Sequence, residues 1–131
     1  MWDTVVALVL ENVPHAHQVG EGVGDYLCYF VEALAVAAHE EGERFRIMFW
    51  ERGERCRAWV ALDDIVFVVY GVDVATMGDL YSLLGDVERV AVEYDGDQDI
   101  IIVPVLVARS VEPWTQKVAE SVDVEIVTFE A

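Results

Sequence analysis

Nine consecutive residues, Ile100 to Ala108, carry no charge, and this run constrains the fold of the chain more than any other stretch. A β-strand without a polar parity has no wet face, so it belongs inside a sheet that is covered on both sides. Upstream, the run VERVAVEY from Val87 to Tyr94 also reads as a strand, and Asp95-Gly96-Asp97-Gln98 separates the two. Asp-Gly supplies the positive φ angles of a tight turn. The pattern therefore predicts a β-hairpin over Val87–Arg109, with the rest of the chain packed around it.

The remaining elements are read from period and punctuation. Trp2 to Leu10 is apolar on both parities and predicts a strand. Glu11 to Gly24 holds Pro14, two histidines and three glycines, and predicts a loop. The segment YLCYFVEALAVAAHEE predicts a helix from about Asp25 to Glu41. It is apolar nearly all round and so calls for more than one cover; we expect a second subunit to supply one, making the protein a homo-oligomer through helix 25–41.

Arg44–Glu51, Glu54–Leu62 and Ile65–Tyr70 predict three sequential strands in an antiparallel meander, the first two joined at Arg52-Gly53. Thr76 with Asp79 three residues on marks a helix start, and Gly85 predicts its end. Ser110 and Pro113 open a short helix, and Val122–Phe129 closes the described order as a strand. The expected fold is α/β or α+β: one domain with a mixed β-sheet sandwich in the order β-α-β-β-β-α-β-β-α-β, ending in a β-α-β crossover. Its α-β-β-β-α-β middle resembles the element order of the restriction-endonuclease-like fold. The motif that would make that resemblance specific, an Asp followed on the next strand by acid-x-Lys, is absent, and element order alone names no family.

Charge bounds the partners. The chain holds 25 acidic and 8 basic residues, a formal net charge of −17, which with a 55% hydrophobic composition forces a dense acidic surface. Such a surface fits halophilic adaptation, a basic protein partner or mimicry of nucleic acid, and it disfavours duplex nucleic acid as a ligand, since phosphate contacts need clustered cations. Cys28 and Cys56 form no CxxC pair, so free thiols in a reducing compartment are expected. Asp3 stands where a signal peptide needs positive charge, and no apolar run is long enough to span a membrane, so a cytoplasmic protein without membrane contact is expected.

Few patterns carry chemistry, and none spells a cofactor motif. His15 and His17 in Pro-His-Ala-His present two imidazoles that could hold a transition metal, with Glu11, Asp25 or His39 as a third ligand. Gly20-Glu-Gly22-Val-Gly24 precedes a helix as a phosphate loop does, but Glu21 and Asp25 occupy the place of the anion. Asp95, Asp97 and Asp99 alternate like the first ligands of a Ca²⁺ loop, without the glycine and glutamate that complete one. Asp63-Asp64 reads as a polar turn.

The first hairpin is the most informative patch, because five of the seven arginines lie within fourteen residues there. A two-residue turn at Arg52-Gly53 would pair Trp50 with Arg55, Met48 with Arg57 and Arg46 with Trp59. Arg44, Arg46, Trp50, Arg55, Arg57 and Trp59 would then share one accessible, partner-binding face. The reading that follows is a small acidic non-enzymatic binding or regulatory protein acting through protein contacts. The alternative is a metal-dependent hydrolase or nuclease-like enzyme using His15, His17 and nearby carboxylates.

Overall fold

A computed structural model of the protein describes residues 22–94 and 99–128. These residues form three helices and a five-stranded mixed sheet, an α+β arrangement, in the order α1 (Val23–Glu40), β1 (Arg46–Glu51), β2 (Cys56–Ala61), β3 (Ile65–Ala75), α2 (Met77–Glu93), β4 (Ile101–Val111), α3 (Pro113–Ser121), β5 (Glu125–Thr128). The strands lie side by side in sequence order, β1 to β5. β1, β2 and β3 are an antiparallel meander, whereas β4 runs parallel to β3 and β5 parallel to β4. The first predicted strand, Trp2–Leu10, lies outside the described residues.

One expectation fails outright. Val87–Tyr94 is no strand: α2 runs unbroken from Met77 through Gly85 to Glu93, so there is no hairpin over Val87–Arg109. The β-branched residues favoured a strand locally, but a stripe at helical spacing decides the matter. Leu80, Leu83 and Val90 are fully buried at 0% exposure, with Leu84, Val87 and Tyr94 packed beside them. A helix face that buries several such side chains, each contributing about 1.5–3 kcal/mol, outweighs propensity differences of a few tenths per residue. Gly85 sits in the helix with nothing within 4 Å of where its Cβ would stand, so its effect is limited to backbone entropy and does not end the helix. Ile100–Ala108 does enter a strand between two neighbours, but its first partner is β3 across a helical connection.

The sheet buries both faces. Against one lies α1, whose Leu27, Phe30 and Leu34 pack on Ala58, Val60, Phe67, Val69, Val105 and Val107. Against the other lie α2 and α3, over Val66, Val68, Tyr70, Leu106 and Ala108. β3 is covered on both faces from Ile65 to Gly71, which explains why its sequence has no polar parity. Helix α1 ends at Gly42, whose φ of +70° an L side chain resists. The Gly42 and Glu43 N–H groups bond back to the His39 and Ala38 carbonyls and so satisfy the last turn.

The cover that the sequence reading assigned to a second subunit is largely supplied by the chain. Tyr26, Leu27, Phe30, Val31, Ala33, Leu34, Ala37 and Ala38 are buried, and Val36, at 46%, is the large apolar side chain that α1 leaves exposed. Among the described residues no helix is long and apolar enough to cross a membrane.

Candidate functional site

Two carboxylates lie buried on the sheet side of α2. Asp79 is 4% exposed and Asp86, two turns further on, 1%. A buried carboxylate must be matched by donors or positive charge, and the partners of these two define a polar cluster between α2 and the first hairpin.

Asp79 occupies the third position of α2 and closes a capping box. Its Oδ2 accepts from the Thr76 backbone N–H at 2.9 Å and from the Thr76 hydroxyl at 3.1 Å. Its Oδ1 accepts from the Tyr70 hydroxyl, 2.8 Å away on β3, and Arg55 Nε stands 3.7 Å from the same oxygen. Burial, aided by the bond to Asp79, pushes the Tyr70 phenol up to about 12, so this hydroxyl remains a donor throughout the physiological range.

Asp86 is held differently. Its Oδ1 accepts from Arg57 Nη1 at 3.0 Å and from Arg89 Nη1 at 3.3 Å, while its buried Oδ2 has no hydrogen-bond partner. Arg57, on β2, reaches its cross-strand partner Glu51 on β1 with its other nitrogen, 2.9 Å from Oε2, and its guanidinium lies 4.9 Å from the centroid of the Phe49 ring. The hydrogen bond and charge of Arg57 hold the Glu51 carboxyl below its usual range. Glu51, Arg55, Arg57, Tyr70 and Ser82 line a cavity of about 200 Å³. The arrangement offers an open cavity with donors, acceptors and both signs of charge. Among the described residues, however, no three His, Cys, Asp or Glu side chains converge closely enough to hold a metal ion.

The six residues expected on one face of the hairpin are divided between two. A register shift between Ile47 and Phe49 and a four-residue connection, 52–55, replace the regular ladder and two-residue turn, and the expected pairs of Trp50 with Arg55, Met48 with Arg57 and Arg46 with Trp59 do not form. Instead Trp50 pairs with Ala58, Phe49 with Trp59, Glu51 with Arg57 and Arg46 with Ala61. One extra residue in a strand turns everything beyond it to the other side, so Trp50 joins the α1 side of the sheet while Arg57 and Trp59 face α2. Arg44, Arg46, Trp50 and Arg55 are exposed, and Arg57 and Trp59 are half-buried. Asp63, in the β2–β3 turn, accepts the Arg44 backbone N–H.

His15 and His17, with Asp95 and Asp97, lie outside the described residues, and His39 is exposed in the last turn of α1. Cys28 and Cys56 form no disulfide. The buried role of Asp79, Asp86 and Tyr70 is not marked by any motif in the sequence. Asp79 and Asp86 stand at heptad spacing, a signal that becomes visible once α2 continues past Gly85.

No family model matches the chain, nor does any curated protein at a significant level. Among solved structures it matches one described as EndoMS in apo form, with a TM-score of 0.52 and 20% identity over 76% of this chain and 46% of that one. The chain is similar in fold to EndoMS. It spans less than half of that protein, whose name marks it as an endonuclease. This finding corrects two expectations. A non-enzymatic protein acting through protein contacts is no longer the favoured reading, because the nuclease-like alternative accords with EndoMS, and duplex nucleic acid can no longer be set aside as a partner. Net charge averages the whole surface, whereas phosphate contacts depend on local cations, so it does not by itself exclude them. The acid-x-Lys pattern remains absent: β2 reads CRAWVA and β3 reads IVFVVYGVDVA, with Asp73 their one carboxylate.

Proposed function

We propose that the chain is a nuclease-like domain of an enzyme that hydrolyses nucleic acid with the help of a divalent cation. The observation that carries this reading is the fold likeness to EndoMS over 76% of the chain. Since β2 and β3 are apolar where they pack beneath α1, the hydrolytic residues belong at the margin of the sheet.

The start of α1 is the place that the geometry favours. There the β1–β2 connection comes close: Arg52 Nε lies 2.9 Å from where a Cβ on Gly24 would stand, and Arg52 Nη1 donates to Cys28 Sγ at 3.6 Å. Val23 and Leu27 touch the middle of β3 at Gly71. His17 precedes Gly22 by five residues, a length that spans at most about 18 Å when fully stretched. His39, seventeen residues along the helix from Gly22, is about 26 Å from that start at 1.5 Å per residue. A third ligand for His15 and His17 from near the beginning of α1 or from Glu11 would need a less extended chain than His39 would. A cation held there would polarise a phosphoryl oxygen and lower the pKa of a bound water. Arg52 and Arg55 would draw the phosphate towards it.

The test uses untagged protein. Metal content is measured by mass spectrometry, and end-labelled single-stranded and duplex DNA are incubated with Mg²⁺ or Mn²⁺, with and without chelator. Cleavage that disappears with chelator and in the His15→Ala/His17→Ala variant is the expected result. Intact substrate under every condition would refute the proposal.

A further inference from the structure

Six of the chain's seven arginines fall into two groups. Arg55, Arg57, Arg89 and Arg109 each lie within 4 Å of a carboxylate of their own chain. Among the described residues, no carboxylate lies within that distance of the Arg44 or Arg46 guanidinium, although the protein has three times as many acids as bases. These two cations flank a cleft of about 350 Å³ at the end of the sheet, at the lower end of the size range of small-ligand sites.

The rest of the cleft gives that charge a context. Ala61, Leu62 and Ile100 supply an apolar floor, and Tyr94, the C-cap of α2, supplies an aromatic wall. The Tyr94 hydroxyl accepts from Arg46 Nη2 at 3.3 Å and lies 3.4 Å from Met48 Sδ, which fixes the ring beside the guanidinium. The nearby acids limit the occupant. Asp63 lines the cleft, and the Glu43 carboxyl is pushed up by burial and then by Asp63, Asp64 and Glu41. A terminal phosphate carries about −1.5 to −2 and would be repelled by this group more strongly than a singly charged phosphodiester.

We propose that this cleft is a binding site for one unpaired nucleotide within a nucleic-acid strand, its phosphodiester between Arg44 and Arg46 and its base against Tyr94, Leu62 and Ile100. An unpaired base can leave the stack and find a new partner on an aromatic side chain. Paired arginines suit the phosphate because their guanidinium forks match its oxygens. The site rests on the nucleic-acid reading given above and deepens it by naming where, and in what form, a strand is held.

Fluorescence anisotropy of a labelled single-stranded oligonucleotide, titrated at several salt concentrations, tests the proposal. The wild type is compared with Arg44→Ala/Arg46→Ala and with Lys117→Ala as a distant cation control. We expect the double variant to bind at least tenfold more weakly, with a log–log salt slope shallower by about 0.7 for the one phosphate lost, and Lys117→Ala to match the wild type. Arg44→Lys/Arg46→Lys should keep the slope and lose affinity, because the charge stays and the fork is gone. If the wild type binds and the double variant binds equally well with the same slope, the cleft assignment is overturned while the nuclease-like reading stands. If the wild type binds no nucleic acid even at low salt, both fall.

Discussion

Replacing Arg57 by alanine probes whether the cluster between α2 and the first hairpin is held by charge. Arg57 has a side chain 22% exposed and bonds Asp86, 2% exposed, at 3.0 Å. Its second bond goes to Glu51, which is solvated and half exposed, so that pair contributes little. Deleting one partner of a buried pair typically costs about 3–5 kcal/mol, because the other charge is left uncompensated. Here Arg89, 68% exposed, still reaches Asp86 at 3.3 Å and offsets part of that loss. The expected destabilisation is therefore about 2–3 kcal/mol, which with an m-value of about 2 kcal/mol/M lowers the urea midpoint by roughly 1–1.5 M. Adding Asp86→Ala should restore part of the lost stability, since the stranded carboxylate is then gone. Paired urea titrations of the single and double variants measure both effects. A midpoint shift equivalent to under about 0.5 kcal/mol for Arg57→Ala, the range of ordinary surface changes, would refute the argument. Arg55, 67% exposed and 3.7 Å from Asp79, is the contrast: Arg55→Ala should stay within that range.

Three further outcomes follow from the same structure. Because the folded Tyr70 phenol titrates at about 12 against 10.0 for the free group, the unfolded chain releases its proton first. Stability is thus fully present below pH 10 and falls as pH rises towards 12, and Tyr70→Phe should remove that part of the alkaline loss in urea titrations across that window. Gly42→Ala should destabilise by about 1 kcal/mol, seen by thermal melting, because φ there is +70° and alanine resists the left-handed region. With a net charge of −17, the melting temperature should climb from low to molar salt as the screening length falls from about 30 Å at 0.01 M to about 3 Å at 1 M. A flat response would mean that the surplus is neutralised within the fold.

Much of the architecture was legible residue by residue. The three-strand meander, the helices begun by Thr76 and ended near Glu41, and the strand after Ile100, buried from Val105 to Ala108, all follow from signals that act within a few residues: glycine and proline at turns, a capping box, and the contrast between periods of two and 3.6. Elements whose local signals conflict needed the tertiary structure. Val87–Tyr94 has strand-forming residues at helix-compatible spacing, and only the burial of Val90 beside Leu80 and Leu83 against the sheet selects the helix. The face of Trp50 depended on one additional residue between Ile47 and Phe49, which strand periodicity cannot place because every later side chain reverses with it. The pairing of β4 with β3, and with it the sheet order, joins residues more than thirty positions apart. The arginine-rich hairpin was evident in sequence, but the division of its cations was not. Arg57 meets Asp86, and among the described residues the Arg44 and Arg46 guanidinium groups form no ion pair, because α2 extends far enough to carry Asp86 beneath β2 and Tyr94 beside Arg46. Sequence fixes which charges a chain owns; which of them neutralise each other is decided by the close approach of distant elements, since an ion pair weakens quickly with separation in water.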